Sequence, residues 1–263
     1  SVGVMAMDTG TGRVRVMLDV CEDAGKVARK KTEDRLKNRR QRGGPEHSWT
    51  PCAARDIQKN GVMRRRRQPG SAWKPLLYAT ALEQGLMQAD TYLDAPLSYM
   101  VKNELWSPKN HEERYYKRVI ARRALAHSIN SVAVQLMFKV GPERVAHMAE
   151  RLGIRSRIHA VPALALGTSP VTLGELVQAY AVLPSGGHRV IPRYIDRILN
   201  NQGHPVAWPV FESGAEVLDP RVAYVLTDML RETTTSGTAW PAKRLKFPVA
   251  GKTGTTNLSQ DAW

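Results

Sequence analysis

Helix punctuation is the feature that most narrows what this chain can fold into. From Ser71, roughly a hundred residues carry apolar positions at helical spacing, cut into segments by proline at the starts and glycine at the ends. "VGPERVAHMAERLGI" has Pro142 at its start, Val145, Met148, Ala149 and Leu152 on one face, and Gly153 as its stop. "SPVTLGELVQAYAVLPSGG" is expected to start at Ser169-Pro170 and to end at Gly186-Gly187 in the same style. "DPRVAYVLTDMLRETT" takes Asp219 as N-cap and Pro220 at the first helical position, with Val222, Val225, Leu226 and Met229 facing a core. Strand-like segments bracket this block. Residues 2–18, "VGVMAMDTGTGRVRVML", alternate around "DTGTG" as a β-hairpin, and "LKFPVAGKTGTT" reads as a short strand followed by a glycine-bearing turn. The order predicts an α+β body, in which a sheet gathers strands from both chain ends around a helical lobe.

Composition adds one constraint and leaves several questions open. The 263 residues suffice for a large domain with a proper core. With 39 Lys+Arg against 24 Asp+Glu the net charge is +15, which points to an anionic neighbour without choosing among nucleic acid, membrane surface and acidic polymer. Much of the charge sits in residues 22–67, which contain "KVARKKTEDRLKNRRQRGG" and end in "RRRR". That segment lacks sustained periodicity and reads as a solvated basic loop or partly disordered insert; a nucleic-acid arm is the weaker alternative, because aromatic stacking residues are almost absent. Cys21 and Cys52 are too few for a disulfide framework and lack histidine partners at metal-ligand spacing, so both a single disulfide and two unrelated thiols stay open. No apolar run reaches the ~18 residues of a membrane span, and no signal peptide is visible. Starting at Ser1 and stopping after a polar loop at Trp263, the chain is expected to be a piece of something longer.

Three short motifs can carry chemistry. In "RQPGSAWKPLLYATALEQG", Pro69-Gly70 makes a turn, Ser71 is placed as a helix N-cap, and Gly85 closes the helix. Pro75 would delete the helical bond to the carbonyl of Ser71, which is harmless only at a helix boundary. The same geometry suits a nucleophile: Lys74, one turn on, shares a face with Ser71. A serine hydroxyl needs an adjacent base, and a buried lysine with a lowered pKa is neutral enough to act as one. "AHSINSVAV" contains Ser128 and Asn130, two polar residues in an apolar helical stretch that would also serve to satisfy a helix end. "VAGKTGTT" supplies Lys252, Thr253, Gly254 and Thr255 and lacks the spacing of a phosphate-binding loop.

Together, in this order, Ser-x-x-Lys, Ser-x-Asn and Lys-Thr-Gly resemble the signature of penicillin-binding proteins and class A β-lactamases. "MDTGTGRVRVM", "RQPGSAWKPLLYATALEQG", "WSPKNHEERYYKRVIARRALAHSINSVAVQL", "VGPERVAHMAERLGI", "ALGTSPVTLGELVQAYAVLPSGGHRVIPRYIDRI" and "FPVAGKTGTTNLSQDAW" are similar to the transpeptidase domain of bifunctional, class A penicillin-binding proteins. The resemblance covers nearly all of residues 2–18 and 66–263. It implies a β-lactamase/transpeptidase-like α+β fold with an antiparallel sheet built from both chain ends and a helical lobe. It also implies one such domain over residues 1–263, incomplete at both ends, with further C-terminal strands and a helix in the family.

The resemblance implies a mechanism. Ser71 would attack the D-Ala–D-Ala carbonyl of a peptidoglycan stem peptide, with Lys74 as general base. Ser128 would relay a proton to the leaving amine, and Asn130 would bond the substrate amide. Lys252 would set a positive field and keep the Ser128 hydroxyl poised. Thr253 and Thr255, with Gly254 between them, would hold the terminal carboxylate, and the N–H groups of Ser71 and Thr255 would form the oxyanion hole. No metal or organic cofactor is implied. The implied partners are stem peptides, the lipid-linked precursor, β-lactam antibiotics and, through an N-terminal helix preceding a glycosyltransferase domain, the membrane; specific nucleic acid is not among them. The implied location is the bacterial cell envelope, on the outer face of the cytoplasmic membrane. Residues 19–65 depart from the family pattern, either as a lineage-specific insert or as a frame-shifted stretch. A β-lactamase or D,D-carboxypeptidase-type hydrolase shares all three motifs but needs a carboxylate for the deacylating water, and Glu175, the nearest candidate, is expected to be structural. A binding module acting through the basic segment is the remaining alternative.

Overall fold

A computed structural model describes residues 2–20, 61–206, 214–256 and 262–263. Cys21, Cys52 and most of the basic segment at 19–65 lie outside the described residues. The chain opens with the expected hairpin: β1 (Val2–Met7) pairs antiparallel with β2 (Val14–Val20), from Val2↔Val20 to Met7↔Val14, with an irregularity between Ala6 and Met7. Its turn is tied by Asp8, whose carboxylate accepts from both the N–H and the hydroxyl of Thr11 at 2.8 Å. The short helix α1 (Gly61–Arg64) packs against this hairpin.

A 3₁₀ turn, Gly70–Trp73, runs directly into α2 (Lys74–Glu83). Residues Lys74 to Ala81 are all buried, so α2 is the central helix of the lobe. The lobe is less purely helical than the punctuation suggests. Between helices lie β3 (Thr91–Asp94), the hairpin β4 (Tyr99–Val101) and β5 (Glu104–Trp106), and β6 (Lys117–Ile120), which pairs antiparallel with β3. The β4–β5 turn is Lys102-Asn103, both at positive φ, a two-residue hairpin turn with no glycine to announce it.

Four helices then enclose α2 or extend the lobe: α3 (Ala121–Ala126), α4 (Asn130–Val140), α5 (Pro142–Arg151) and α6 (Leu173–Ala181). The start and stop of α5 follow its sequence, with Val145, Met148, Ala149 and Leu152 buried and Gly153 at φ +103. Helix α6 begins at Leu173 rather than at Ser169-Pro170. Thr172 and Glu175 form a reciprocal capping box that sets the start, while Val171 is extended and exchanges backbone bonds with Arg67. The helix ends at Ala181, and the residues to Gly187 form turns. A two-residue pairing joins β7 (Ile198–Leu199) to β8 (Pro205–Val206).

The last helix, α7 (Pro220–Thr235), has Asp219 as N-cap, accepting from the Arg221 N–H. Leu226 and Met229 are buried as expected, whereas Val222 and Val225 are half-buried and Ala223 and Leu230 complete the inward face. Arg122 of α3 bonds Asp228 and Glu232, fastening α3 to α7.

The α+β class holds, as helices with small antiparallel sheets, but one strand expected from the sequence is not formed. Among the described residues every sheet has two strands, and "LKFPVAG" joins none of them. Its backbone groups are taken by α7 instead: Thr234 Oγ1 donates to Val249 O at 2.6 Å, Thr233 Oγ1 donates to Gly251 O, and Gly251 N–H donates to Leu230 O at 3.3 Å. A segment whose backbone is satisfied by side-chain hydroxyls has less to gain from a ladder. A cavity of about 880 Å³ separates the inner side of β1–β2 and α6 from Ala250, Lys252 and Trp263.

Candidate active site

Ser71 lies inside the 3₁₀ turn rather than capping it. The N-cap position is Pro69, and no side chain caps this start, which corrects the N-cap reading of Ser71. The tightness of the turn explains why Pro75 is tolerated. The Ser71 carbonyl accepts from the N–H of Lys74, three residues on, so Pro75 deletes no bond that was needed. Among the described residues the Ser71 hydroxyl has no hydrogen-bond partner, and neither do the backbone N–H groups of Ser71 and Thr255.

Lys74 is the most buried cation of the lobe, with no exposed surface. Its Nζ meets the Ser-x-Asn motif at three points: Ser128 O at 2.6 Å, Asn130 Oδ1 at 2.7 Å and Ser128 Oγ at 3.1 Å. Burial, and then the charge of Lys252, push its pKa well below the ordinary lysine value. The three partners accommodate a protonated amine, which donates to all of them, and a neutral one. In the neutral form Ser128 O and Asn130 Oδ1 can only accept, so they take its two N–H bonds, and the lone pair is left to accept from a hydroxyl, that of Ser128 at rest and that of Ser71 during attack. On protonation the Ser128 bond reverses and Nζ donates to all three. Ser128 reaches this position through a left-handed backbone, φ +59, a conformation uncommon in non-glycine residues and found at functional sites.

Lys252 is also lowered by burial, to about 8. Its Nζ donates to Thr253 O at 3.1 Å, not to the Ser128 hydroxyl, so its expected hold on Ser128 is not a hydrogen bond among the described residues. Thr253 shares a hydroxyl–hydroxyl bond of 2.7 Å with Thr238, from the loop after α7. Gly254 exchanges two backbone bonds with Trp263, and the Trp263 indole N–H donates to Gln68 O at 2.8 Å.

The Lys-Thr-Gly turn sits directly on the Ser71 turn. A Cβ built on Gly254 would lie 2.5 Å from Pro69 O, and one on Gly70 would lie 2.6 Å from Thr255 O. A Cβ on Gly167 would fall 2.1 Å from Gly70 O. Three backbones therefore touch where only glycine fits. The structure brings Ser71, Lys74, Ser128, Asn130, Lys252, Thr253, Gly254 and Thr255 into one locality. Lys74 follows Ser71 by one turn, and its amine bonds Ser128 and Asn130 without a hydrogen bond to Ser71 among the described residues.

Several supporting residues escaped the sequence reading. Tyr180 donates to Ala72 O at 2.7 Å from α6, and Thr238 reaches Thr253. Asp94 and Asn110 stand behind Asn130. Each acts across a long sequence separation, so neither periodicity nor local spacing marks it. Glu175 is structural, as expected. Its carboxylate accepts from Arg155 N, Ser156 N, Ser156 Oγ, Thr172 N and Thr172 Oγ1. Burial acts to raise its pKa, but bonds from Thr172, Ser156 and Arg155 outweigh it and hold the carboxyl below the usual glutamate value. Among the described residues no cluster of three His, Cys, Asp or Glu side chains is placed to hold a metal ion, and no helix is long and apolar enough to cross a membrane.

Comparison with known proteins agrees with this geometry. Residues 2–262 match the family model described as the penicillin binding protein transpeptidase domain. Penicillin-binding protein 1A of Aquifex aeolicus (strain VF5) is 42% identical over 209 residues, 78% of this chain and 28% of that protein. Penicillin-binding protein 1A of Neisseria gonorrhoeae is 35% identical over 213 residues, 78% of this chain and 27% of that protein. This chain thus spans little more than a quarter of the length of these curated relatives. The crystal structure of penicillin-binding protein 1A from Haemophilus influenzae superposes with a TM-score of 0.73 at 30% identity, over 78% of this chain and 36% of that one. Penicillin-binding protein A from M. tuberculosis, solved as an imipenem acyl-enzyme complex, shares the fold with a TM-score of 0.74 at 18% identity, over 97% of this chain and 62% of that one. With its three motifs gathered around one serine and its sequence matched almost end to end, the chain belongs to the penicillin binding protein transpeptidase domain family.

Proposed function

We propose that this domain is a peptidoglycan D,D-transpeptidase that acylates Ser71 with D-Ala–D-Ala stem peptides and is acylated at the same serine by β-lactams. The observation that carries this reading is the seat of Lys74, a buried amine with a depressed pKa, bonded to the Ser-x-Asn pair and one turn from a serine hydroxyl that has no partner among the described residues. Ser71 attacks the carbonyl carbon and its proton passes to the Lys74 amine. As the tetrahedral intermediate collapses, the bond to the terminal D-Ala nitrogen breaks and that nitrogen takes a proton through Ser128. The unspent N–H groups of Ser71 and Thr255 stabilise the oxyanion. The two threonines of the Lys-Thr-Gly turn and the Lys252 charge recruit the substrate carboxylate, and Asn130 bonds the substrate amide. The acyl group then leaves to the amine of a neighbouring stem peptide.

The name of the M. tuberculosis relative, an imipenem acyl-enzyme, supports β-lactam acylation in this fold. Peptidoglycan lies outside the cytoplasmic membrane, which places the domain on that face of the cell envelope, near the lipid-linked precursor. Fluorescent-penicillin labelling of wild type beside Ser71→Ala tests the reading. Wild type is expected to carry a covalent label and Ser71→Ala none, at unchanged melting temperature; equal labelling of both would remove Ser71 from the mechanism.

A hydrolase would need a free carboxylate for deacylation. The oxygens of Glu175 are engaged by Thr172, Arg155 and Ser156, which favours the transferase. Glu175→Gln is accordingly expected to destabilise the fold by about 1–2 kcal/mol, because its amide nitrogen turns a donor toward N–H or O–H groups from which a carboxylate oxygen accepted. The lifetime of the penicilloyl adduct should not change. Urea denaturation and adduct decay followed on the same sample check both halves.

A further inference from the structure

Asp94, at the end of β3, is 1% exposed and has no Lys or Arg within ion-pair distance among the described residues. A buried carboxylate without a cation is costly unless hydrogen bonds replace its hydration. Here three do: Asp94 Oδ1 accepts from Asn110 Nδ2 and Ser131 Oγ, both at 2.6 Å, and Oδ2 accepts from Tyr116 N at 2.7 Å.

Asn110 is equally spoken for. Its Nδ2 donates to Asp94 and to Arg114 O at 2.9 Å, so its Oδ1 must face the other way. That oxygen accepts from the backbone N–H of Asn130 at 2.9 Å and of Ser131 at 3.0 Å, the first two residues of α4. The N-cap residue of α4 is Ile129, whose side chain cannot cap, so Asn110 supplies the cap from 20 residues away. The neighbouring residue fixes the rest of Asn130: Lys109 O accepts from Asn130 Nδ2 at 2.8 Å. With its nitrogen held there, Asn130 must present Oδ1 to Lys74 Nζ, at 2.7 Å. A flipped amide would set donor against donor.

We propose that Asp94 and Asn110 are positioning residues for acylation, a buried acid–amide pair that fixes the backbone and the amide orientation of Asn130 and, through it, the amine of Lys74. The inference rests on the acyl-serine reading above. Among the described residues neither Asp94 nor Asn110 hydrogen-bonds Ser71 or Lys74. The pair's effect is on where the Lys74 amine and the Asn130 amide stand, and therefore chiefly on the rate of the chemical step, with a smaller effect on ligand capture through Asn130. A helix cap with no such role would affect stability alone.

The test is the time course of acylation by fluorescent penicillin on the full chain, resolved into the dissociation constant before acylation and the rate constant at saturation. Asn110→Asp keeps size but replaces the two N–H donors with an acceptor facing Asp94. Asp94→Asn removes the charge with little change in shape, and serves if the first variant does not fold. Leu152→Ala, a core truncation just after α5, supplies a variant with comparable loss of melting temperature and no hydrogen bond to Asn130. The expected result is a fall in the saturating rate on the order of 10²-fold, the size of effect a displaced catalytic group produces, well beyond any rise in the dissociation constant that the displaced Asn130 amide causes. A saturating rate no lower than that of Leu152→Ala would overturn the positioning role. Failure of the wild type to acylate at Ser71 would overturn the underlying reading instead, so the two failures are distinct.

Discussion

Lys74→Met is expected to lower the acylation rate of Ser71 on the order of 10³-fold while leaving the fold in place. Methionine is close to lysine in length and suits a site with no exposed surface. It leaves Ser128 O and Asn130 Oδ1 without their donor, a loss of about 1–3 kcal/mol, partly offset because a desolvated amine is also removed. Scanning calorimetry should therefore show a small shift in melting temperature beside the large kinetic effect. The pH profile gives a second signature. In the wild type, acylation falls toward acid as Lys74 takes up a proton and loses the lone pair it needs as a base. It falls again as pH rises through about 8, where Lys252 gives up the charge that recruits the ligand carboxylate. The acid limb is expected to vanish in Lys74→Met, and the alkaline limb to remain.

Gly167→Ala is expected to be among the most damaging small substitutions at the described glycines. Gly167 sits at φ +72, and its added Cβ would lie 2.1 Å from Gly70 O and 2.7 Å from Gly70 N. The obstacle is backbone, so no rotamer change relieves it. Gly70 in turn is backed by Thr255 O, 2.6 Å from its own Cβ position, so it cannot retreat. The expected cost is about 3 kcal/mol or more in urea denaturation, with loss of penicillin labelling because the displaced turn carries Ser71. Gly186→Ala is the matched comparison. It has a similar φ, +69, but nothing lies within 4 Å of its Cβ position, so only left-handed strain of about 1–2 kcal/mol applies. Equal losses for the two variants would mean that the close approach of the three backbones is not what constrains residue 167.

The parts of the fold legible in the sequence are those whose signals are local. The β1–β2 hairpin, helix α5 and the Asp219-Pro220 start of α7 each follow from a few adjacent residues. The start of α6 was displaced because Ser169-Pro170 and Thr172-x-x-Glu175 both spell an N-terminus, and the reciprocal capping box outweighs the bare proline signal. The strands β3 to β6 were absorbed into a helical block, since three- and four-residue strands carry too little alternation to register. The segment before Lys252 reads as a strand by composition, but the threonine hydroxyls of α7 hold its carbonyls. At the site, the eight motif residues were legible as a set because their types and order are specific. The partners that hold them, Asp94, Asn110, Gly167, Tyr180 and Thr238, act over separations that no spacing rule spans. The bonds of the Lys74 amine to Ser128 rest on the left-handed backbone of Ser128, which nothing in "AHSINS" foretells.

The central claim is that one serine, Ser71, carries a covalent acyl group. Intact-mass spectrometry of the chain incubated with benzylpenicillin, followed by peptide mapping, tests it directly. One stoichiometric penicilloyl adduct is expected on the peptide containing Ser71, long-lived after removal of free drug. A chain that stays unmodified, or an adduct that maps to any other residue, would contradict it.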